Sequence, residues 1–155
     1  MSNLSVLLNG KIGNLFLNFE HHFKNDGITI LYGPNGSGKT TIISALGGFI
    51  NNLETRILFN GNEIHDIDKL PPNKRPFGIM FQNPILFEHL SVEENLDFVI
   101  NKNQIKSQSK SSISKEYLIK HLELNSLLKR SPENLSGGEK LRVVLARTIL
   151  KQPKY

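Results

Sequence analysis

The stretch GPNGSGKT, from Gly33 to Thr40, combines residue types and spacing that suit phosphate binding. It fits the pattern G-x-x-x-x-G-K-[ST], follows the β-branched run GITILYG at 27–33, and opens the helical run KTTIISALGG. Gly36 and Gly38 let the backbone turn so that successive N–H groups point inward, and the next helix N-terminus adds partial positive charge. The order strand, loop, helix therefore favours a phosphate-binding loop over a chance glycine-rich turn.

The side chains at the end of this loop add charge and a metal ligand. Lys39 is placed to reach the β- and γ-phosphates of a nucleotide as a mobile point charge. The Thr40 hydroxyl is placed to ligate Mg²⁺, and Thr41 to contact the α-phosphate side. The predicted nucleotide-binding residues are Gly33, Pro34, Asn35, Gly36, Ser37, Gly38, Lys39, Thr40 and Thr41.

A second candidate anion site lies in LSGGE, at 135–139. Ser136, Gly137 and Gly138 would present backbone N–H groups and one hydroxyl at the start of the last helix. Ser136 is also a good N-cap, and Glu139 stands three residues later, as in a capping box. The capping and the phosphate-binding interpretations are compatible.

The composition is that of one globular domain of 155 residues, 38% of them apolar. The net charge of +5 gives little support for nucleic acid, because the basic residues are scattered. The chain has no Cys, and its 5 His residues lack metal-ligand spacing, so no disulfide framework or thiolate metal site is expected. No apolar run approaches the ~20 residues of a membrane span, so we expect a cytosolic chain that meets a membrane only through a partner.

Apolar periodicity and turn residues predict the elements that position these motifs. Prolines at 71, 72 and 76 exclude a helix or central strand from LPPNKRP. Ser91 and Glu94 predict a capped helix start, and Leu141, Leu145 and Ile149 predict the apolar face of the last helix. The predicted strands are 4–8, 15–19, 27–33, 56–64 with an Asn60-Gly61 turn, and 77–81; the predicted helices begin at 39, 91, 116 and 138.

The segment 102–115 contains five serines and four lysines and hardly an apolar residue. This composition predicts a solvated loop. A basic nucleic-acid arm is the alternative, but no aromatic side chains are interleaved to stack on bases.

Three motifs, in this order, resemble those of the ATP-binding-cassette ATPases: GPNGSGKTT, the glutamine of FGIMFQ at Gln82, and LSGGEKLRVVLARTIL. The resemblance covers nearly the whole chain, and LSGGE is among the most specific motifs of the family. It implies an α/β fold: a P-loop NTPase (RecA-like) core with an N-terminal antiparallel β subdomain and an inserted helical subdomain, incomplete at the C-terminus. The expected divisions of 1–155 are 1–82 for the β subdomain and P-loop core, 83–134 for the helical subdomain, and 135–155 for the signature motif and its helix.

The resemblance also implies an ATP-hydrolysing subunit with ATP and Mg²⁺ as cofactors. Two subunits would join head to tail, so that ATP on 33–41 of one is capped in trans by Ser136, Gly137 and Gly138 of the other. Gln82 matches the family glutamine that contacts Mg²⁺ and the attacking water, which makes it the one catalytic residue assigned, and a metal ligand together with Thr40.

The implied partners are a second ATPase subunit and transmembrane permease subunits, with no nucleic acid. Through the permease, the protein would lie on the cytoplasmic face of the cell membrane. GITILYGPNGSGKTTIISALGG and LPPNKRPFGIMFQNPILFEHLSVEENL look most like importer subunits, especially the molybdate type. An oxyanion is therefore the first expectation for the cargo.

The sequence departs from the family pattern after LARTILKQPKY. The family continues into an apolar strand closing on the Asp and Glu that hold Mg²⁺ and polarise water, and later into a switch histidine. No acidic residue here matches those positions, so no general base is assigned. We expect an N-terminal fragment of a longer transporter ATPase, poorly stable alone, whose strands at 27–32 and 77–81 lack neighbours.

The adenine platform is a second departure, because the family usually stacks the base on an aromatic residue well before the loop. Lys11 to Asn14 contains no aromatic residue. Phe16 is the nearest candidate, and a core position suits it equally.

Two other functions stay open. A chromosome- or repair-type ATPase shares these motifs but places long coiled coils between the glutamine and the signature, whereas this stretch is short and lacks sustained heptads. A non-hydrolysing nucleotide-binding remnant would bind ATP with no turnover, even beside an intact partner.

Overall fold

The computed structural model describes residues 4–24, 27–103 and 113–155. It forms two compact units, Met1–Phe77 and Gly78–Tyr155. The first contains the strands β1 (Leu4–Ile12), β2 (Leu15–Phe23), β3 (Glu54–Phe59) and β4 (Asn62–Glu63) and the helix α1 (Lys39–Gly47). The second contains the helices α2 (Val92–Asn103), α3 (Lys115–His121) and α4 (Gly137–Leu150).

The first unit is built on an antiparallel sheet in the order β2-β1-β3-β4. The predicted N-terminal pair is confirmed and is longer than expected, with Leu4 opposite Phe23 and Ile12 opposite Leu15. Leu4, Val6 and Leu8 are all buried, since alternate residues of a strand point to the same face. One face of the sheet therefore carries a core of the first unit.

The predicted turn at Asn60-Gly61 joins β3 to β4. Both residues have left-handed backbone angles, with φ of 53° and 76°. Two such residues in a two-residue loop match the twist of a hairpin, and Asn-Gly adopts them at low cost. The predicted hairpin is confirmed, although its strands are Glu54–Phe59 and Asn62–Glu63.

The strands predicted at 27–33 and 77–81 are wrong as secondary structure. Within the described residues neither segment belongs to the sheet. Ile28, Ile30 and Tyr32 are 92%, 81% and 95% exposed. Neither segment pairs with a strand in the part of the chain that the structure describes, and a β-branched run forms a strand only where another strand completes its hydrogen bonds.

The second unit packs its helices around a shared apolar core. Leu96, Leu124 and Val143 are fully buried in it, and each such side chain contributes about 1.5–3 kcal/mol. Lys115 at the start of α3 pairs with Asp97 of α2 at 2.6 Å. The core residues are Leu86, Val92, Leu96, Leu118, Ile119, Leu124, Leu127, Leu135, Val143, Val144, Ala146 and Leu150.

The predicted apolar face of α4 is confirmed at Ile149, which packs against the core, but is wrong at Leu141. Its buried residues are Val143, Val144, Ala146 and Leu150, whereas Leu141 is 41% exposed. Residues spaced by four drift about 40° around a helix at each step. Residues spaced alternately by three and four, such as 143, 146 and 150, stay on one side of the helix, and that side faces the core.

The other boundaries agree with the sequence to within a few residues. Pro71 caps one turn of 3₁₀ helix, Pro72–Lys74, and Pro72 is its first residue; no α-helix or strand forms there, as predicted. The predicted loop at 102–115 begins too early, since α2 continues to Asn103; residues 104–112 lie outside the described residues. The helix predicted at 116–124 ends at His121, because Glu123 takes a left-handed φ of 53°.

Candidate functional site

The glycine-rich loop leads directly into α1. Gly36 and Gly38 have φ of 81° and 89°, a region that glycine enters without steric cost. Gly38 is the N-cap of α1, and a Cβ there would lie 3.1 Å from Leu15 Cδ2. The loop therefore needs glycine at 38 both for its turn and for its close approach to β2.

Lys39 spans the loop that it ends. Its Nζ donates hydrogen bonds to the carbonyl oxygens of Gly33 at 2.8 Å and Pro34 at 2.7 Å. An ammonium group has three donors, so one remains for a ligand. The positive charge of Lys39 is thus held beside the carbonyl oxygens of Gly33 and Pro34.

The residues present fit a nucleotide polyphosphate with its metal ion. The first N–H groups of an α-helix have no acceptor within the helix, and the helix dipole favours an anion at that end. Thr40 is exposed in the first turn of α1, and Thr41 is half-buried. Phosphate oxygens would meet N–H groups and an ammonium, and the Thr40 hydroxyl would be the hard oxygen ligand that Mg²⁺ prefers.

The opposite end of α1 is held by Arg75, which the sequence reasoning missed. Arg75 is 2% exposed, and its Nη1 donates to the carbonyl oxygens of Ala45 at 2.6 Å and Leu46 at 3.2 Å. Burial lowers the pKa of this guanidinium. An Arg beside the prolines of LPPNKRP is the only sequence signal, and it does not reveal a target 30 residues away.

The signature motif begins α4 with the predicted capping box. The Ser136 N–H donates to Glu139 Oε2 at 2.6 Å, and the Glu139 N–H donates to Ser136 Oγ at 3.3 Å. The backbone N–H of Ser136, and then its hydroxyl, lower the pKa of Glu139. The capping interpretation is confirmed. Ser136 Oγ thus accepts from the Glu139 N–H, and its hydroxyl also interacts with the Glu139 carboxylate.

The surface beside Ser136 is open. Ser136, Gly137 and Gly138 are exposed, and a Cβ at Gly137 or Gly138 would meet nothing within 4 Å. Side chains at these two positions would therefore be tolerated by the fold of the second unit. Glycine there leaves backbone N–H groups accessible to an approaching anion.

Gln82 is exposed and lies on a segment without helix or strand. It belongs to the second unit with Ser136, whereas residues 33–41 belong to the first. The structure thus groups the phosphate loop in one unit, and Gln82 and the signature motif in the other. Among the helices that the structure describes, none is long and apolar enough to cross a membrane.

Comparison with known proteins gives a consistent set of relatives. The molybdenum import ATP-binding protein ModC of Saccharophagus degradans is 38% identical over 99% of this chain and 43% of its own length. ModC of Granulibacter bethesdensis is 37% identical over 84% of the chain and 36% of its own length. The spermidine/putrescine import ATP-binding protein PotA of Clostridium novyi is 37% identical over 84% of this chain and 36% of its own length. The chain thus spans less than half the length of these relatives.

A solved structure shares the fold. It is the ADP conformation of MJ1267, an ATP-binding cassette of an ABC transporter, with a TM-score of 0.65 and 22% identity over 99% of this chain and 66% of that one. The predicted fold class is confirmed by this likeness. The ABC transporter family model matches residues 16–155, and the chain therefore belongs to the ABC transporter family.

Proposed function

We propose that this chain binds Mg–ATP at residues 33–41 and, in the complete protein, hydrolyses it to drive an ABC importer. The observation that carries the proposal is the Lys39 ammonium, held between the carbonyl oxygens of Gly33 and Pro34 at the N-terminus of α1. A fixed positive charge beside the N–H groups at the start of a helix supports the binding of a polyphosphate there.

The remaining residues take roles that follow from their chemistry. Thr40 would supply a hydroxyl ligand to Mg²⁺, which would neutralise charge on the β- and γ-phosphates. Gln82 would be the second metal ligand and would orient the attacking water. No general base is assigned among these 155 residues, so catalysis would depend on positioning and electrostatics together with groups elsewhere in the assembly.

The signature motif acts on a partner in this proposal. Ser136, Gly137 and Gly138 would cap ATP bound to a second ATPase subunit in a head-to-tail dimer. Their exposure and the open space around both glycines support a role toward another molecule. Permease subunits would hold this dimer on the cytoplasmic face of the membrane, with no nucleic acid involved.

The proposed cargo is a small solute, first of all an oxyanion such as molybdate. The relatives named above include molybdenum importers and a spermidine/putrescine importer at nearly equal identity. The test is ATP-dependent uptake of labelled molybdate and labelled spermidine in cells with and without the gene. Uptake of molybdate alone supports the oxyanion; uptake of spermidine alone contradicts it.

Nucleotide binding is tested by calorimetry with Mg–ATP and with AMP, followed by assay of phosphate release. We expect ATP to bind and AMP to bind at least tenfold more weakly, since AMP lacks the phosphates that Lys39 reaches. Equal affinity for the two would contradict the phosphate-loop assignment. ATP binding without turnover, even beside an intact partner subunit, would instead favour the non-hydrolysing remnant.

A further inference from the structure

The segment that carries Gln82 is fastened at both ends to α4 and the residues that follow it. At one end, the Gly78 N–H donates to the Tyr155 carbonyl at 2.6 Å, and a Cβ on Gly78 would lie 2.8 Å from both Thr148 and Pro153. At the other end, Arg147 Nη2 donates to the Ile85 carbonyl at 2.5 Å. Gln82 lies between these two anchors.

Arg147 makes three different contacts with its planar guanidinium. Besides the bond to Ile85, its Cζ lies 5.2 Å from the centroid of the Phe87 ring, within the range of a cation–π interaction. Nη1 also lies 3.4 Å from Asn95 Oδ1. A flat group with several fixed donors can serve a carbonyl, a ring and an amide at once.

Asn95 holds the next part of the same segment from α2. It is fully buried, and a buried amide is costly unless its polar atoms are paired. Its Oδ1 accepts from the Phe87 N–H at 2.9 Å, and its Nδ2 donates to the carbonyls of Phe87 at 3.1 Å, Leu90 at 3.1 Å and Ser91 at 2.9 Å. Residues 85–91 are therefore pinned to α2 by Asn95 and to α4 by Arg147.

We propose that Arg147 is a positioning residue that fixes the Gln82 segment to the helix beginning at Ser136. Both proposed nucleotide-sensing groups of the second unit then move as one body, so that displacement of the signature motif displaces Gln82. The catalytic consequence rests on the proposed function, but the attachment itself can be measured without it. Arg147 acts through backbone positions and touches no nucleotide.

Arg147→Lys tests whether the positive charge alone is sufficient or the planar guanidinium is required. Arg147→Lys keeps a positive charge, but an ammonium is a compact point charge on a flexible stem and lacks the fork that spans Ile85, Phe87 and Asn95. Arg147→Ala removes all three contacts. Arg142→Ala is the matched control, because Arg142 lies on the same helix and its ion pair with Glu123, at 3.0 Å, is on the surface.

The experiment is amide hydrogen exchange, with ATP turnover, on the protein as its gene encodes it. Both Arg147 variants should speed exchange at 85–91 by about tenfold or more, as expected when a charge-assisted bond is lost, while α1 and the middle of α4 keep wild-type protection. Their kcat should fall about tenfold with KM for ATP within about twofold. Arg142→Ala should match the wild type in both measurements.

Two results would overturn the positioning role. One is unchanged exchange at 85–91 in Arg147→Lys and Arg147→Ala. The other is an equal loss of protection across α2, α3 and α4, which would mean that Arg147 only stabilises the unit as a whole. A wild-type protein that does not hydrolyse ATP would contradict the proposed function, and the exchange pattern would still decide the role of Arg147.

Discussion

At the scale of single residues, cationic side chains hold the phosphate loop and α1 by hydrogen bonds to backbone carbonyl oxygens. Lys39 donates hydrogen bonds to two carbonyl oxygens of its own loop. It therefore stabilises the loop conformation and also supplies a positive charge. Arg75 does the same for the far end of α1 through Ala45 and Leu46. One helix is thus held at both ends by cationic side chains, and each of them can be tested alone.

Lys39→Ala should weaken Mg–ATP binding by about tenfold to a hundredfold, because a charge-assisted contact of about 1.5 to 3 kcal/mol is lost. Calorimetric titration gives the dissociation constant directly. Lys69→Ala is the control in the same unit, since its ion pair with Asp66, at 2.7 Å, is exposed. Unchanged affinity in Lys39→Ala would refute the phosphate-loop assignment.

Gly48→Ala should reduce the free energy of unfolding by about 1 to 3 kcal/mol. Gly48 has a φ of 79° and is so close to Arg75 that an added Cβ would collide with the guanidinium. Gly61→Ala is the matched control, because Gly61 has a φ of 76° and open space around it. Urea unfolding should show the larger loss for Gly48→Ala; equal losses would mean that backbone strain alone is responsible.

At the scale of elements, the helix starts of the second unit are set by reciprocal caps. Ser91 with Glu94 begins α2, and Ser136 with Glu139 begins α4. Each box provides acceptors for two backbone N–H groups that the helix leaves unpaired, one on the serine and one on the glutamate. In both, hydrogen bonds from the serine lower the pKa of the glutamate.

The pKa of Glu139 should rise part of the way toward 4.5, its ordinary value, in Ser136→Ala. The backbone N–H, the larger cause of the lowered pKa, remains, and only the hydroxyl is lost. Because the folded-state pKa is below the unfolded one, the cap stabilises the fold above about pH 4.5 and is lost as the pH falls through the folded pKa. NMR titration of the carboxyl groups measures this, with Glu94 as the internal control; no rise at Glu139 would contradict the cap.

At the scale of the whole molecule, the described chain holds two units whose proposed tasks differ. The first contains the phosphate loop, and the second contains Gln82 and the signature motif. In the proposed head-to-tail dimer, the phosphate loop and Gln82 of one subunit would combine with Ser136, Gly137 and Gly138 of the other.

Ser136→Arg should leave ATP binding to the monomer unchanged and abolish ATP-driven dimerisation and turnover in the complete protein. Ser136 is exposed, so the larger side chain fits the free surface but would clash with a capped nucleotide. Light scattering with and without ATP measures the dimer, and Glu116→Arg, at another exposed position of the same unit, is the control. Normal turnover in Ser136→Arg would refute the role in trans.

The 155-residue chain expressed alone should have low stability. Ile28, Ile30 and Tyr32 are almost fully exposed, and apolar side chains in water contribute none of the burial energy that a strand core provides. We expect a broad thermal transition and binding of a hydrophobic dye. A cooperative melt with native-like hydrogen exchange protection would contradict this prediction.

The sequence by itself determined the features that depend on neighbouring residues. The glycine-rich turn before α1, the Asn60-Gly61 hairpin and the two capping boxes each follow from a few adjacent side chains and backbone angles. Motif order also determined the family, since those motifs carry their chemistry within short windows. Only the tertiary structure decided whether 27–33 and 77–81 became strands, which stripe of α4 was buried, and what Arg75, Asn95 and Arg147 hold. These outcomes depend on partners far along the chain, because strand pairing, burial and long-range hydrogen bonds are properties of packed elements and leave no local pattern.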